Sequence, residues 1–206
     1  MGQMHLIAVQ INNEYKIAQY GEDDGYPEGQ GKAVLKFLRE ENLDLFKDKV
    51  LLASWITEEE HISNWGALGV DIIACNGWIS NVEAEEHRKS YPELSKKFGS
   101  DILGLVYASN GIKLRNNIEF AHDGLWCDWA YIIDFDKNTF EVYAGGCNNP
   151  LKVGERFYEG DREFADREYG ERDSNHKYFG VRCLKVFDLS NLPSEEEFIK
   201  AFEDGD

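Results

Sequence analysis

Asp24, Tyr26, Gly29 and Gly31 stand in one short loop whose residue types suit ligand binding. The loop, Gln19-Tyr20-Gly21-Glu22-Asp23-Asp24-Gly25-Tyr26-Pro27-Glu28-Gly29-Gln30-Gly31, holds four glycines and four acids. Glycine lets the backbone approach a partner closely. The amides of Gly29, Gln30 and Gly31 open a helical pattern, where partial positive charge suits an anion. Glu22, Asp23, Asp24 and Glu28 oppose that chemistry, because they repel a phosphate unless a cation intervenes. The spacing is not that of a P-loop, a dinucleotide fingerprint or an EF-hand. A structural turn is therefore preferred, with Gly25 in an unusual dihedral, Pro27 fixing its own, and Tyr26 packed as an anchor.

The second candidate is His122-Asp123 with Asp128, where imidazole and carboxylate are the types for acid–base work or metal ligation. No pair among His5, His61, His87, His122 and His176 has HxxxH or HxH spacing, so no metal site is expected. Asp134 and Asp136 form a DxD, but they flank a hairpin turn and suit turn duty. Cys75 and Cys127 lie in apolar surroundings, the setting of inert buried thiols. Ser54, Ser63 and Ser80 lack a nucleophile-elbow pattern. No cofactor is implied.

The elements that would position these residues read as follows. His5–Gln10 and Tyr15–Tyr20 are strands around an Asn12-Asn13 turn. Val34, Leu35, Phe37 and Leu38 mark a helix from Gly31 to about Glu41, and 43–53 a second one, with Leu45, Phe46 and Leu52 inward. Thr57 and Glu60 have the spacing of a capping box before Ile62 and Trp65. The span 81–89 is a polar, acidic stretch, and Asp101 starts a helix that Gly111 stops. Residues 126–143 alternate as a β-hairpin turning at Asp136-Lys137-Asn138, and its edge would need cover or a second copy. Trp126, Trp129, Tyr131 and Tyr143 read as core. The span 112–120 is a candidate neighbouring strand. The span 146–177 reads as a long charged loop or flap. Tyr178–Leu189 is the last strand, with Phe179, Val181, Cys183, Leu184 and Val186 inward, and 193–203 is a C-terminal helix. The order predicts a single α+β domain over 1–206, a mainly antiparallel β-sheet with helices packed mostly on one face.

The 206 residues carry a formal net charge of −17. That disfavours a polyanion or phospholipid surface as a direct partner and favours basic protein surfaces. The acids are spread along the chain, so a solvated surface is the plainer reading and nucleic-acid mimicry a distant one. The four cysteines have no CxxC pair, which fits reduced, mostly buried thiols in a cytosolic protein. No signal peptide is expected at the opening residues, and no apolar run approaches the roughly 18 residues a membrane span needs. Oligomeric state is not readable from the sequence.

Three segments together resemble an uncharacterised family of small phage, prophage and bacterial proteins. They are Asp24-Gly25-Tyr26-Pro27-Glu28-Gly29, Tyr91-Pro92-Glu93-Leu94-Ser95, and Trp129-Ala130-Tyr131-Ile132-Ile133-Asp134 with its returning strand. Asp23 stands where members often carry an aromatic, so no stacking role is transferred there, and the resemblance transfers no catalytic residue. It implies a phage or prophage setting and a host-cell cytoplasm. The expected function is binding of a host protein with a basic surface, countering host defence, rather than catalysis. The alternative is a small-ligand binder or hydrolase-like enzyme in which Asp24, Tyr26, Gly29, Gly31, His122 and Asp123 share one pocket.

Overall fold

The computed structural model describes residues 3–76, 78–169 and 179–203. Its centre is a five-stranded sheet of β1 (His5–Ile11), β2 (Glu14–Gly21), β5 (Trp129–Asp134), β6 (Thr139–Ala144) and β7 (Arg182–Asp188), in the order β2-β1-β5-β6-β7. Every neighbouring pair is antiparallel except β1–β5, which is parallel. The first hairpin turns on Asn12 and Asn13, at φ 57° and 59°, the left-handed region that asparagine tolerates. The hairpin 126–143 does not supply a sheet edge: β1 and β7 flank it, and the edges are β2 and β7.

The sheet is buried on both faces, which explains why both rows of the hairpin are apolar. One face presents Ile7, Val9, Tyr131, Ile133, Phe140 and Val142 to the helices. These are α1 (Lys32–Glu40), α2 (Leu43–Leu51), α5 (Asp101–Ala108) and α7 (Glu195–Glu203), which contribute Leu35, Phe46, Leu103 and Phe198 among others. Within α2 the inward residues are Phe46 and Val50, four apart on one stripe, whereas Leu45 and Leu52 are exposed. The other face presents Leu6, Ala8, Ala130, Ile132 and Tyr143 to Ala121, Leu151, Phe157 and Val181. An α+β domain with most helices on one face results.

The remaining elements pack beside β2, with Leu114 buried in the main core. β3 (Ser54–Trp55) pairs in parallel with β4 (Lys113–Leu114), a two-residue ladder instead of a strand over 112–120. The chain leaves it because Asn116 Oδ1 accepts the Ile118 amide and Asn117 donates to the Ala18 carbonyl, winding 118–122 into a tight helical turn. Thr57 and Glu60 cap α3 (Glu58–Ala67) reciprocally. The polar stretch is a helix, α4 (Asn81–Ser90), started by a second capping box between Ser80 and Glu83. The Tyr26–Pro27 and Tyr91–Pro92 peptides are trans.

The charged span 146–177 is not one loop. Leu151 and Phe157 are buried, and α6 (Tyr158–Tyr169) follows, broken at Glu159–Gly160, where Gly160 takes φ +89°. Residues 170–178, including His176 and Tyr178, lie outside the described residues. On β7, Cys183, Leu184 and Val186 are exposed rather than inward. The strand is the sheet's outer edge, bulged opposite Val142/Tyr143, and Phe187 instead packs on Phe198 beneath the helices.

Candidate functional site

Strand alternation decides which candidate residues can meet. His5 pairs with Gly21 and with Trp129, so its side chain shares the helix-side face with Ile7 and Tyr131. The glycine-rich loop closes over that face. Tyr131 donates from its hydroxyl to the Gly25 carbonyl at 2.7 Å, and the Gly25 amide donates to Gln3 O at 3.1 Å. Tyr20 pairs with Leu6 and so points to the opposite face, beside Phe120 and the turn 118–122. Asp24 and Tyr26 therefore lie over one face, while His122 packs against Phe157 and Phe164 at the other. The sheet stands between them, so one shared pocket is not formed.

Within the loop, the amides proposed for an anion are already engaged. Gly29 donates to Tyr26 O at 3.0 Å, Gln30 to Asp24 O at 2.9 Å, and Gly31 to Tyr26 O at 3.4 Å. The strained residue is Asp24, at φ 53°, and not Gly25. Gly25 is required for space: a Cβ there would stand 2.6 Å from Gln3 O, and one on Gly31 would stand 2.8 Å from the Tyr131 ring. Tyr26 is not a buried anchor; it is exposed, its hydroxyl 3.3 Å from Asp24 Oδ1, and the anchor is Tyr131.

His5 lies beneath this loop at 1 % exposure, with neither ring nitrogen hydrogen-bonded among the described residues. Burial lowers its pKa to about 4, outweighing the Gln3 backbone, Asp23 and Asp24, which pull it up. His87, stacked on Trp65 at 3.9 Å between centroids, is likewise lowered to about 4 by burial, then by His61 and Arg115. An imidazole whose pKa folding lowers costs the fold nothing above pH 6.5, where it is neutral in both states, so stability is full there. That stability is lost as pH falls from 6.5 through 4, because the unfolded chain binds the proton first. For His5 the loss is on the order of 3 kcal/mol. Urea midpoints should fall steadily between pH 7 and pH 4, and His5→Leu should flatten that slope.

His122 is half-buried. Burial lowers its pKa, and Asp161 and Glu119 partly restore it. Asp161 accepts the Gly180 amide at 2.7 Å. Asp128 accepts the Met4 amide at 2.9 Å. Asp136 accepts the amides of Asn12 and Asn13, each at 2.8 Å, tying two hairpin turns together. Among the described residues no group of three His, Cys, Asp or Glu is placed to hold a metal. Cys127 is buried, and burial, then Asp123 and Asp128, push its thiol up, the wrong direction for a nucleophile. Cys75 and Cys147 are half-buried and Cys183 exposed, so the thiols are less buried than expected.

What the structure does assemble is a cleft of about 650 Å³ at the end of the sheet where β2 finishes and β1 begins. Tyr20 and Phe120 meet edge to face at 4.7 Å, Trp126, 52 % exposed, also lines the cleft, and Glu119, Asp123 and Asn117 supply polar groups. Only Asp123 of the expected site residues reaches it. Trp126 was expected in the core, but the strand starts three residues later, and the turn after Asp123 projects the indole outward. At the rim, Arg167 of α6 lies 5.3 Å over the Phe164 ring and 2.9 Å from Glu119.

A second cluster escaped the sequence pattern entirely. Arg156 lies buried on the sheet face away from the helices, between Asp134 and Glu141, and also bonds Gln10, Tyr15 and Tyr143. Burial alone would raise both carboxyls, yet Arg156 holds Asp134, with Lys137, and Glu141, with Tyr143, below the usual range. Its partners are saturated by one another, so it is a structural network.

The fold and these clusters define a single-domain α+β protein built on a two-sided mixed sheet. No family model, no curated protein and no solved structure matches the chain. No helix among the described residues is long and apolar enough to cross a membrane.

Proposed function

We propose that this chain acts by binding a partner protein with a basic surface, rather than by catalysis. One observation carries the reading: large aromatic side chains stand in solvent on a chain of net charge −17, with Trp126 52 % and Trp78 87 % exposed. Exposed tryptophan beside acids is the composition of an interface anchor for a cationic partner. Burial lowers the pKa of His5, His61 and His87, each shut away from solvent, and the acid–base candidate His122 packs against Phe157 and Phe164 across the sheet from Asp24 and Tyr26. The phage setting, a host protein as target and a role against host defence rest on the resemblance of the loop 24–29, the segment 91–95 and the hairpin 129–134. A common ligand pocket for Asp24, Tyr26 and His122 is not favoured, because the sheet separates them.

The test is capture from a bacterial lysate on immobilised protein. A stoichiometric partner should be retained near 0.15 M salt and released toward about 1 M, where surface charge attraction is screened. Replacing Trp78 and Trp126 together with alanine should abolish retention. Recovery of no stoichiometric partner at moderate salt would count against the reading.

A further inference from the structure

We propose that Asn110-Gly111 is a self-modification site, where the Gly111 amide nitrogen attacks the Asn110 side chain and Lys49 supports the charge that forms. The pair follows α5 directly, and both residues are exposed. Asparagine before glycine carries both reactants of an imide ring closure, and glycine lacks the Cβ that would crowd the attacking nitrogen. The structure sets this pair apart from the other Asn-Gly and Asp-Gly pairs of the chain. Asp24-Gly25 is locked, since the Gly25 amide donates to Gln3 O at 3.1 Å. Asp123-Gly124 is enclosed: Gly124 is buried, and a Cβ there would stand 1.8 Å from Phe179 O. The glycines of Asn76-Gly77 and Asp204-Gly205 lie outside the described residues. Gly111 donates its amide to no backbone acceptor among the described residues. The nearest atom to a Cβ on it would be Leu52 O, at 3.7 Å.

A cation stands where the reaction builds charge. Lys49 of α2 donates from Nζ to Asn110 Oδ1 at 2.5 Å. When the Gly111 nitrogen bonds to Cγ, that carbon becomes tetrahedral and Oδ1 takes the negative charge. The ammonium is already at that oxygen, as an oxyanion donor is. The step balances with water alone. The bond from Gly111 N to Asn110 Cγ forms, the Cγ–Nδ2 bond breaks, and ammonia leaves with the proton that the Gly111 amide gives up. Water then opens the imide. Attack at Cγ yields an aspartate at position 110, which keeps the Lys49 contact as an ion pair. Attack at the Asn110 backbone carbonyl yields an isoaspartyl linkage, whose main chain is longer by one carbon. That longer chain leads into β4, where Ile112 O accepts the Ser54 amide, Leu114 O accepts the Ile56 amide and Leu114 is buried. The isoaspartyl form therefore strains the β3–β4 ladder, and the aspartyl form does not.

The test holds the full chain folded at mildly alkaline pH and follows each Asn-Gly pair by peptide mapping with mass spectrometry. Position 110 should convert with time to a mixture of aspartyl and isoaspartyl peptides. Asn110→Gln should stop the conversion, because its longer side chain must close a larger ring. Lys49→Met should slow it by about tenfold in the folded protein, less than the roughly 10²–10³ of a donor shielded from solvent. In urea, where Lys49 no longer meets Asn110, the same variant should react at the wild-type rate. Asn110 is exposed and Lys49 half-buried on the outer side of α2, so folding should survive both changes. Aged protein should unfold at lower urea than fresh protein. Asn110→Asp, which supplies the aspartyl product alone, should keep the fresh midpoint. Conversion confined to Asn76, or equal folded-state rates with and without Lys49, overturns the inference.

Discussion

Arg156→Ala should lower the unfolding free energy by about 3–5 kcal/mol, more than any other single truncation of a charged residue among the described residues. The side chains of Asp134, Glu141 and Arg156 are 0 %, 5 % and 7 % exposed. Removing the guanidinium leaves two carboxylates on one face of the neighbouring strands β5 and β6, with Lys137, 3.8 and 3.9 Å away at the surface, as their remaining cation among the described residues. Most of the loss is thus the cost of the orphaned charges rather than the worth of the pair. The pH dependence follows from sign. Both carboxyls are held below their ordinary values, so their stabilisation is present above about pH 4.5 and is lost as pH falls through the lowered pKa values. Without Arg156 the two carboxyls protonate more readily, so the variant's deficit should shrink in acid. Adding Asp134→Asn and Glu141→Gln should recover much of the loss. Urea titration followed by tryptophan fluorescence reads all of this. A deficit below about 1 kcal/mol would show that the pair behaves as a solvated surface contact.

That network marks where sequence reading stops. Asp134 was legible as a hairpin residue, and it does accept the Asp136 and Lys137 amides at 3.0 Å. Its ion pair with Arg156 was not, because a charged residue in a span rich in Gly, Arg, Asp and Glu looks solvated until the sheet brings it inward. Local chemistry was legible wherever it acts over a few residues: the Asn12-Asn13 turn, the Thr57–Glu60 box and the alternation over 126–143. Ser80 and Glu83 obey the same capping rule, yet α4 buries His87 alone among its residues, so no apolar stripe announced it. The parallel pairing of His5 with Trp129 joins distant segments and leaves no local trace. Strand alternation on that sheet sets the two halves of the expected site on opposite faces, and the bond from the Asn117 amide to the Ala18 carbonyl brings Phe120 beside Tyr20. The cleft was invisible for the same reason, although Trp126 and Asp123 were both noticed singly.

The glycine-rich loop yields the second large effect. Gly29→Ala should cost about 2–3 kcal/mol, although Gly29 is only half-buried and touches no apolar core. A Cβ there would collide with the Asp24 carbonyl oxygen, which is backbone and cannot rotate away. That oxygen accepts the Gln30 amide at 2.9 Å, and Gln30 Oε1 accepts the Ser100 amide at 2.7 Å at the start of α5. Relieving the collision therefore loosens the beginning of α1 and its tie to α5 together. It also strains Asp24, which already sits at φ 53°. Gly104→Ala is the matched control: in α5, with nothing near its Cβ, it should raise stability by about 0.5–1 kcal/mol through the unfolded chain. Opposite signs at two glycines would assign the loop's glycines to close backbone packing. A neutral Gly29→Ala would instead mean that the turn is pliant, and would return Asp24 and Tyr26 to candidacy as a mobile binding element.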